Sequence, residues 1–472
     1  MSTNPERKVV QDKEESFRYS IATIDNSGKR VWIYPKKPTG KFYFSRSVLS
    51  LVYLVVFFTL PFIKWKGSPI FLLNILERKF ILFGVHFWPS DFFIFGLGML
   101  TFIVFIALFT VVYGRVFCGW ACPQTIFMEM VFRKIEYWIE GDAQYQKQLD
   151  NMPWNQQKIR KKITKHVVFF LISFLIANTF LAYLIGVDQV IELATQPINN
   201  NLGSFVSLLI FSAIFYGVFS FFREQVCLIV CPYGRMQGVL LDKNSIVVAY
   251  DYVRGEPRHK IRRNEDHGIG DCIDCSMCVK VCPTGIDIRN GTQLECTNCT
   301  ACIDVCDQMM ENVGLKKGLI RYDSENGIKN SERLRFTNRM KLYTIVLILL
   351  VGLEVYLLTS RTSVETTILR AAGLLYQEQS DHKISNLYTI KLINKTHEDI
   401  PIRLEIENIP AEIKLIGNAL EVKSEQVLQS SFLVLIDETQ LKKRKTQLEV
   451  AIFSGNQKIK TIKTNFLGPI TN

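Results

Sequence analysis

With 48% hydrophobic and 12% aromatic residues against 21% charged, this 472-residue chain is too apolar for an ordinary soluble protein and long enough for several structural units. Its 56 Lys and Arg exceed its 44 Asp and Glu and leave a net charge of +12. No nucleic-acid-binding pattern accompanies that surplus, so it is read as contact with anionic lipid headgroups and as a topology signal, and nucleic acid is excluded as a partner.

Residues 1–44 form a polar, charged N-terminal segment. Apolar stretches follow near Ser45–Ile63, Phe92–Tyr113, Val167–Val187, Phe205–Phe222 and Leu342–Leu358. Each meets or approaches the roughly 17 to 25 residues that a helix needs to cross a hydrocarbon core about 30 Å thick. The segment before the first is too long and too mixed in charge for a cleaved signal peptide, so that span is expected to stay in the mature chain. Basic loops are retained on the cytoplasmic side of a membrane. The N-terminal tail is basic, and so is the loop from Gly114 to His166, with Arg133, Lys134, Lys158, Arg160, Lys161 and Lys162; "GVDQVIELATQPINNNLGS" has no basic residue. Five crossings with the N-terminus in the cytoplasm and the C-terminus outside are expected. The loop from Lys64 to Asp91 opposes that rule with Lys64, Lys66, Arg78 and Lys79, and "PIFLLNILERKFILFGVHFW" within it reads as an interfacial segment. None of the six histidines falls inside a span, His166 lying at an edge, so no haem is expected. Glu354 lies near the outer end of the last span, where interface exposure accounts for it.

Residues 45–250 carry an internal echo. "GRVFCGWACPQTIFMEM" follows the second span and "REQVCLIVCPYGRMQ" the fourth, each an Arg and then C-x-x-x-C-P at the cytoplasmic mouth of a helix. Cys118 with Cys122, and Cys227 with Cys231, would share one helix face with β-carbons roughly 5 to 6 Å apart, and Pro123 and Pro232 would end or kink the preceding helix. Four thiols meeting at one mouth would select copper(I), zinc or an iron–sulfur centre. Met128, Glu129 and Met130 follow the first pair, but methionine at helical spacing is more often core filler.

A charged linker, "DYVRGEPRHKIRRNEDHG", opens the region 251–335. Its Arg254, Arg258, Lys260, Arg262 and Arg263 are expected to face lipid headgroups or to enforce topology. Cys272, Cys275, Cys278 and Cys282 then obey C-x2-C-x2-C-x3-C, followed by Pro283, and Cys296, Cys299, Cys302 and Cys306 repeat the spacing. This is the bacterial pattern for two four-iron clusters, in which the fourth cysteine of each run serves the other cluster. Three thiolates on a tight loop cap three corners of a cube, and the fourth arrives from a distant segment. One [4Fe-4S] cluster is therefore assigned to Cys272, Cys275, Cys278 and Cys306, and the other to Cys296, Cys299, Cys302 and Cys282. Structural zinc is the competing use, but it favours two C-x-x-C pairs separated by a longer loop. Asp307 stands where a Pro would follow Cys306. All twelve cysteines fall on the cytoplasmic side of the expected topology, where thiols stay reduced, so disulfides are not expected.

A last span at 341–359 precedes residues 360–472, where "NLYTIKLIN", "IRLEIE", "SSFLVLI" and "TQLEVAIF" alternate between turn residues as strands of a two-sheet β-sandwich. His382 and His397 read as loop residues there. The fold class is thus a membrane protein with a five-helix bundle, an inserted dicluster ferredoxin-like module and a C-terminal all-β sandwich.

The chain resembles the FixG/RdxA/CcoG family of cytochrome c oxidase accessory proteins. The likeness is carried by "WIYPKKPTGKF", "GRVFCGWACPQT", "CLIVCPYGRMQ", "RGEPR", "CPTGIDIRNGTQLEC" and "GLIRYDSEN". The resemblance implies an immunoglobulin-like tail, a bacterial inner-membrane location and reduction of copper(II) to copper(I) for a cbb-type oxidase. It also implies copper transport or chaperone proteins and oxidase subunits as partners; the electron donor stays unknown. Cys118, Cys122, Cys227 and Cys231 then take a copper or thiol-relay role, and the eight module cysteines form the wire. Two other functions compete, a quinol dehydrogenase and a non-catalytic assembly scaffold whose sandwich grips an oxidase subunit.

Overall fold

The computed structural model describes residues 23–24, 27, 29–75, 79–88, 91–196, 202–259, 270–330, 337–360, 364–371, 373, 375–379, 382–396, 398–417, 419–424, 426–441, 443–455 and 457–469. Arg78, Lys260, Arg262, Arg263 and His397 lie outside the described residues.

Five helices are long and apolar enough to cross a membrane: Lys41–Phe62, Phe92–Tyr113, Gln156–Ile185, Phe205–Phe222 and Asn338–Thr359. Their flanks are apolar where they meet the outside, as at Ile348 and Leu349, 65% and 67% exposed, which is a surface suited to lipid rather than water. The second and fourth coincide with the expected spans. The first, third and last begin earlier, because a polar turn continues the same helix. The third starts at Gln156, where the Asn155 side chain caps it by accepting the Lys158 backbone N–H at 2.8 Å. The first starts at Gly40, whose φ is 145° and whose added Cβ would lie 2.3 Å from the Asp304 side chain. Asp304 accepts the backbone N–H groups of Phe42 (3.1 Å) and Tyr43 (2.8 Å), so a carboxylate between two module cysteines caps the first span.

The loop 64–91 forms short antiparallel strands. Lys64–Trp65 pairs with Ser68–Pro69, and Lys79–Leu82 with Val85–Phe87 through the register Phe80↔Phe87. Positive φ at Lys66, Gly67, Phe83 and Gly84 closes both hairpins.

The cysteine-rich module begins a little before the expected boundary. Val247–Tyr250 pairs antiparallel with Ile320–Asp323, and this ribbon brackets both cysteine runs. Two of the linker cations have partners within the module. Arg254 is ion-paired with Asp271 and donates to the Lys316 and Lys317 carbonyls, and Arg258 pairs with Glu256 at 2.6 Å. The Arg254 guanidinium therefore ties two segments of the module together.

A second compact unit contains the sandwich. One sheet has the order Glu412–Ile416, Val427–Asp437, Lys383–Asn394, Val364–Arg370, and the other Glu421–Val422, Ile400–Ile406, Lys445–Ser454, Gln457–Leu467. The four expected strands are present. Tyr388, Phe432, Leu448, Val450 and Phe466 fill the space between the sheets, all fully buried, with the Tyr388 and Phe432 rings stacked at 5.4 Å. His382 sits at a turn with φ 53°.

Candidate metal centres

Both cysteine runs use the same backbone device. Asp274 and Ser276 flank Cys275 with φ of 49° and 56°, and Asn298 and Thr300 flank Cys299 with φ of 53° and 64°. Left-handed backbone on either side of the second cysteine is costly outside glycine and asparagine. Here it curls each loop so that its thiols point to one side.

Two cavities result. One is lined by Cys272, Cys275, Cys278 and Cys306 against Tyr250, Met310, Leu319 and Ile320. The other is lined by Cys282, Cys296, Cys299 and Cys302 against Val248, Ile286 and Ile288, and Cys278 borders it as well. Cys306 thus lines the first cavity and Cys282 the second. Burial pushes the Cys278, Cys296 and Cys306 thiols up to about 12 and Cys302 well above its ordinary value. Such thiols become thiolates only by ligating a cation. Among the described residues no three His, Cys, Asp or Glu side chains converge closely enough to hold one metal ion. The doubled C-x2-C-x2-C-x3-C spacing and the apolar walls of both cavities suit cubane clusters. Asp307, in the usual Pro position, accepts the Gly318 N–H at 2.8 Å and fixes the turn before Ile320.

The two C-x-x-x-C-P copies repeat each other in backbone as well as in sequence. In each, the N–H of the second cysteine donates to the carbonyl preceding the first: Cys122 to Phe117 (2.9 Å) and Cys231 to Val226 (2.8 Å). The expectation that each pair rides one helix is corrected. Cys122 and Cys231 are extended N-cap residues, with ψ of 126° and 113°, of helices that begin at Pro123 and Pro232. A proline disfavours helical backbone in the residue before it and is at home at the first helical position, so the chain breaks between the two thiols. π-helical segments adjoin both breaks, at Ile126–Phe132 and Val226–Val230.

The four thiols of the two motifs nevertheless influence one another electrostatically. Cys118 is within electrostatic range of Cys122 and Cys231, and Cys227 of Cys118, Cys122 and Cys231. Burial pushes Cys118 up to about 11, and its S–H donates to Gln237 Oε1 at 3.2 Å. Burial and the neighbouring thiols push Cys227 up to about 12. Gln237 is fully buried and was not singled out in the sequence, although it closes the second motif.

This thiol mouth abuts the cavity of Cys282, Cys296, Cys299 and Cys302. A Cβ on Gly119 would lie 2.4 Å from the Thr297 carbonyl oxygen, so the first motif touches the backbone leading into Cys299. Arg46 clamps the two, donating to the Gly119 carbonyl (3.1 Å) and the Cys299 carbonyl (2.8 Å). Arg115 ties the Leu294 carbonyl to that of Gly234.

Beneath the mouth lies a buried ionic network. Arg30, Arg133, Arg223, Lys162 and Lys165 face Glu129, Glu136, Glu140, Glu224 and Asp150. Trp32, from the "WIYPKK" motif, is held between the Arg30 and Arg223 guanidiniums at 4.6 and 4.5 Å. Composition gives no sign of this network, because its partners lie far apart in the chain.

Residues 222–325 match the family described as 4Fe-4S dicluster domain and residues 95–141 the family described as 4Fe-4S binding domain. Residues 354–469 match a family described as having an IG-like fold at the C-terminal of FixG. The chain is 32% identical over 433 residues to the nitrogen fixation protein FixG of Rhizobium meliloti, spanning 81% of this chain and 80% of that protein. It is 33% identical over 413 residues to the protein RdxB of Cereibacter sphaeroides, spanning 82% of this chain and 86% of that protein. With RdxA of the same organism it shares 33% identity over 400 residues, 80% of this chain and 82% of that protein.

Proposed function

This chain belongs to the FixG/RdxA family of membrane iron–sulfur electron-transfer proteins, and from that premise we propose that it reduces Cu(II) to Cu(I) for assembly of a cbb-type cytochrome oxidase. The observation that supports this reading is the gathering of Cys118, Cys122, Cys227 and Cys231 beside one of two four-cysteine cavities. Cys272, Cys275, Cys278 and Cys306 would hold one [4Fe-4S] cluster and Cys282, Cys296, Cys299 and Cys302 the other. Such clusters supply electrons one at a time, the number that Cu(II) requires.

The protein's own contribution is to bind and discriminate. Soft thiolates favour Cu(I) over the divalent ion, so a thiol mouth retains the product of a one-electron reduction. Buried Cys118 and Cys227 release protons to water as the ion takes their place. Gln237, Arg46 and Arg115 hold the surrounding loops in register. In this reading the module faces the cytoplasm of a bacterial inner membrane, the sandwich lies outside, and copper chaperones or transporters and oxidase subunits receive the ion.

The test is anaerobic titration of the iron-loaded, reduced protein with Cu(II), following cluster absorbance and trapped Cu(I). One Cu(I) per electron removed is expected, with loss of that yield when Cys118, Cys122, Cys227 and Cys231 are all replaced by Ser. Reduction at the wild-type rate in the four-Ser variant would overturn the site assignment.

A further inference from the structure

The space beside Cys227 presents donors that the thiol set leaves out. A cavity is lined by Cys227, Met128, Glu129 and Gln124, with Arg223 and Glu224 also on its wall, and it shares Pro283, Thr284 and Thr297 with the cavity of Cys282, Cys296, Cys299 and Cys302. Thr284 is common to both walls, its Oγ1 3.3 Å from Cys282 Sγ. Met128 and Glu129 are adjacent in sequence and both reach this space from the π-helical turns of Ile126–Phe132. Irregular turns of this kind recur at functional sites. Met130, two residues on, has a different setting, with the Ser47 hydroxyl 4.0 Å from its sulfur, in a cavity with Arg46 and Tyr43.

The donors differ in hardness. Thiolate and thioether suit Cu(I), and carboxylate and carboxamide oxygens suit Cu(II). Arg133, with its Nε 3.1 Å from Glu129 Oε1, orients the carboxylate, and Glu224 balances the guanidinium from 3.6 Å. The buried Gln124 Nε2 has no hydrogen-bond partner, which fits a group made to face an anionic ligand sulfur. We infer that this cavity is a copper pocket in which Met128 and Glu129 complete the Cys227 ligand set, the carboxylate engaging Cu(II) and the thioether retaining Cu(I). This inference rests on the copper reading and specifies its site. Ligation releases the Cys227 proton to water. Reduction adds one electron, from a reduced iron–sulfur centre, to the ion and breaks no bond in the protein.

Selenium labelling tests it directly. Full-length protein grown with selenomethionine, with clusters intact, is loaded anaerobically with Cu(I), and selenium-edge X-ray absorption is recorded. A selenium–copper scattering path is expected, and it disappears in Met128→Leu while cluster absorbance is unchanged. Cu(I) retention against a competing chelator is expected to weaken about tenfold or more in Met128→Leu, and KM for Cu(II) to rise in Glu129→Gln with the cluster spectrum preserved. No selenium–copper path in the wild type, or one that persists in Met128→Leu, overturns the inference. If the path is present but the reduced protein fails to reduce Cu(II), the pocket stands and the reductase reading falls.

Discussion

Glu136 offers the sharpest test of the buried ionic network. Its carboxylate receives two hydrogen bonds from Arg223, at 2.6 and 3.0 Å, and Lys165 approaches to 3.3 Å, all within a region only a few per cent exposed. Burial alone would raise the Glu136 pKa; the charge and hydrogen bonds of Arg223, followed by Lys165 and Arg133, outweigh it and hold the group at about 2, against an ordinary 4.5. At about 1.4 kcal/mol per unit, that difference corresponds to about 3 kcal/mol of stability. Because the folded pKa is depressed, this contribution is fully present above pH 4.5 and is lost as the pH falls towards about 2. Glu136→Gln is therefore expected to destabilise the full-length protein by about 3 kcal/mol, and the gap from wild type should stay constant between about pH 8 and 5. Arg223→Met should cost a similar amount, and the double substitution less than the sum, since each single change leaves a buried charge without its partner. The assay is denaturant unfolding of the detergent-solubilised, iron-loaded chain followed by tryptophan fluorescence. A Glu136→Gln variant within about 0.5 kcal/mol of wild type, or strictly additive single and double changes, would refute the reasoning.

Gly119→Ala would place a methyl group 2.4 Å from the Thr297 carbonyl oxygen, an overpacking that costs about 1 to 3 kcal/mol. Lower iron content and an altered spin-resonance signal from one of two clusters are expected; full iron and an unchanged spectrum would count against the contact. Phe432→Ala removes a fully buried ring stacked on Tyr388 and should cost the sandwich about 3 to 5 kcal/mol. Limited proteolysis of the full chain in membranes should then cut within 364–469 while iron–sulfur absorbance is retained. Loss of the clusters together with the sandwich would show that the two compact units do not fold independently.

What the sequence reveals here depends on how far apart the interacting residues stand in the chain. The cysteine runs are legible because three of the cysteines lining each cavity stand within seven residues of the chain, and Cys282 and Cys306 belong to the same doubled spacing. The apolar cores of the spans are legible for the same reason. Their polar ends are not, because Lys158 and Lys165 look like loop cations until Asn155 is seen to cap the helix and Glu136 and Glu140 to neutralise Lys165. The edge strands Val364–Arg370 and Gln457–Leu467 are harder to see than the central ones, since polar residues occupy positions that a fully buried strand would fill with apolar side chains. The four-thiol mouth is visible as an echo, but the break between the cysteines of each pair is decided by the prolines that follow them.

Long-range clamps tie that mouth to the cysteine-rich module. Arg46 belongs to the first span, yet its guanidinium is spent on two carbonyls, those of Gly119 in the first C-x-x-x-C-P motif and of Cys299 in the second cysteine run. Asp304, between Cys302 and Cys306, returns the connection by capping that same span. A backbone carbonyl cannot be mutated away, so the arrangement holds whatever side chains the two loops carry; only the clamp itself is vulnerable. Displacement of the loop around Cys299 therefore shifts the position of Gly119 and, through the helix that contains it, Cys118. A buried charged side chain with two fixed acceptors thus ties the Gly119 and Cys299 loops together.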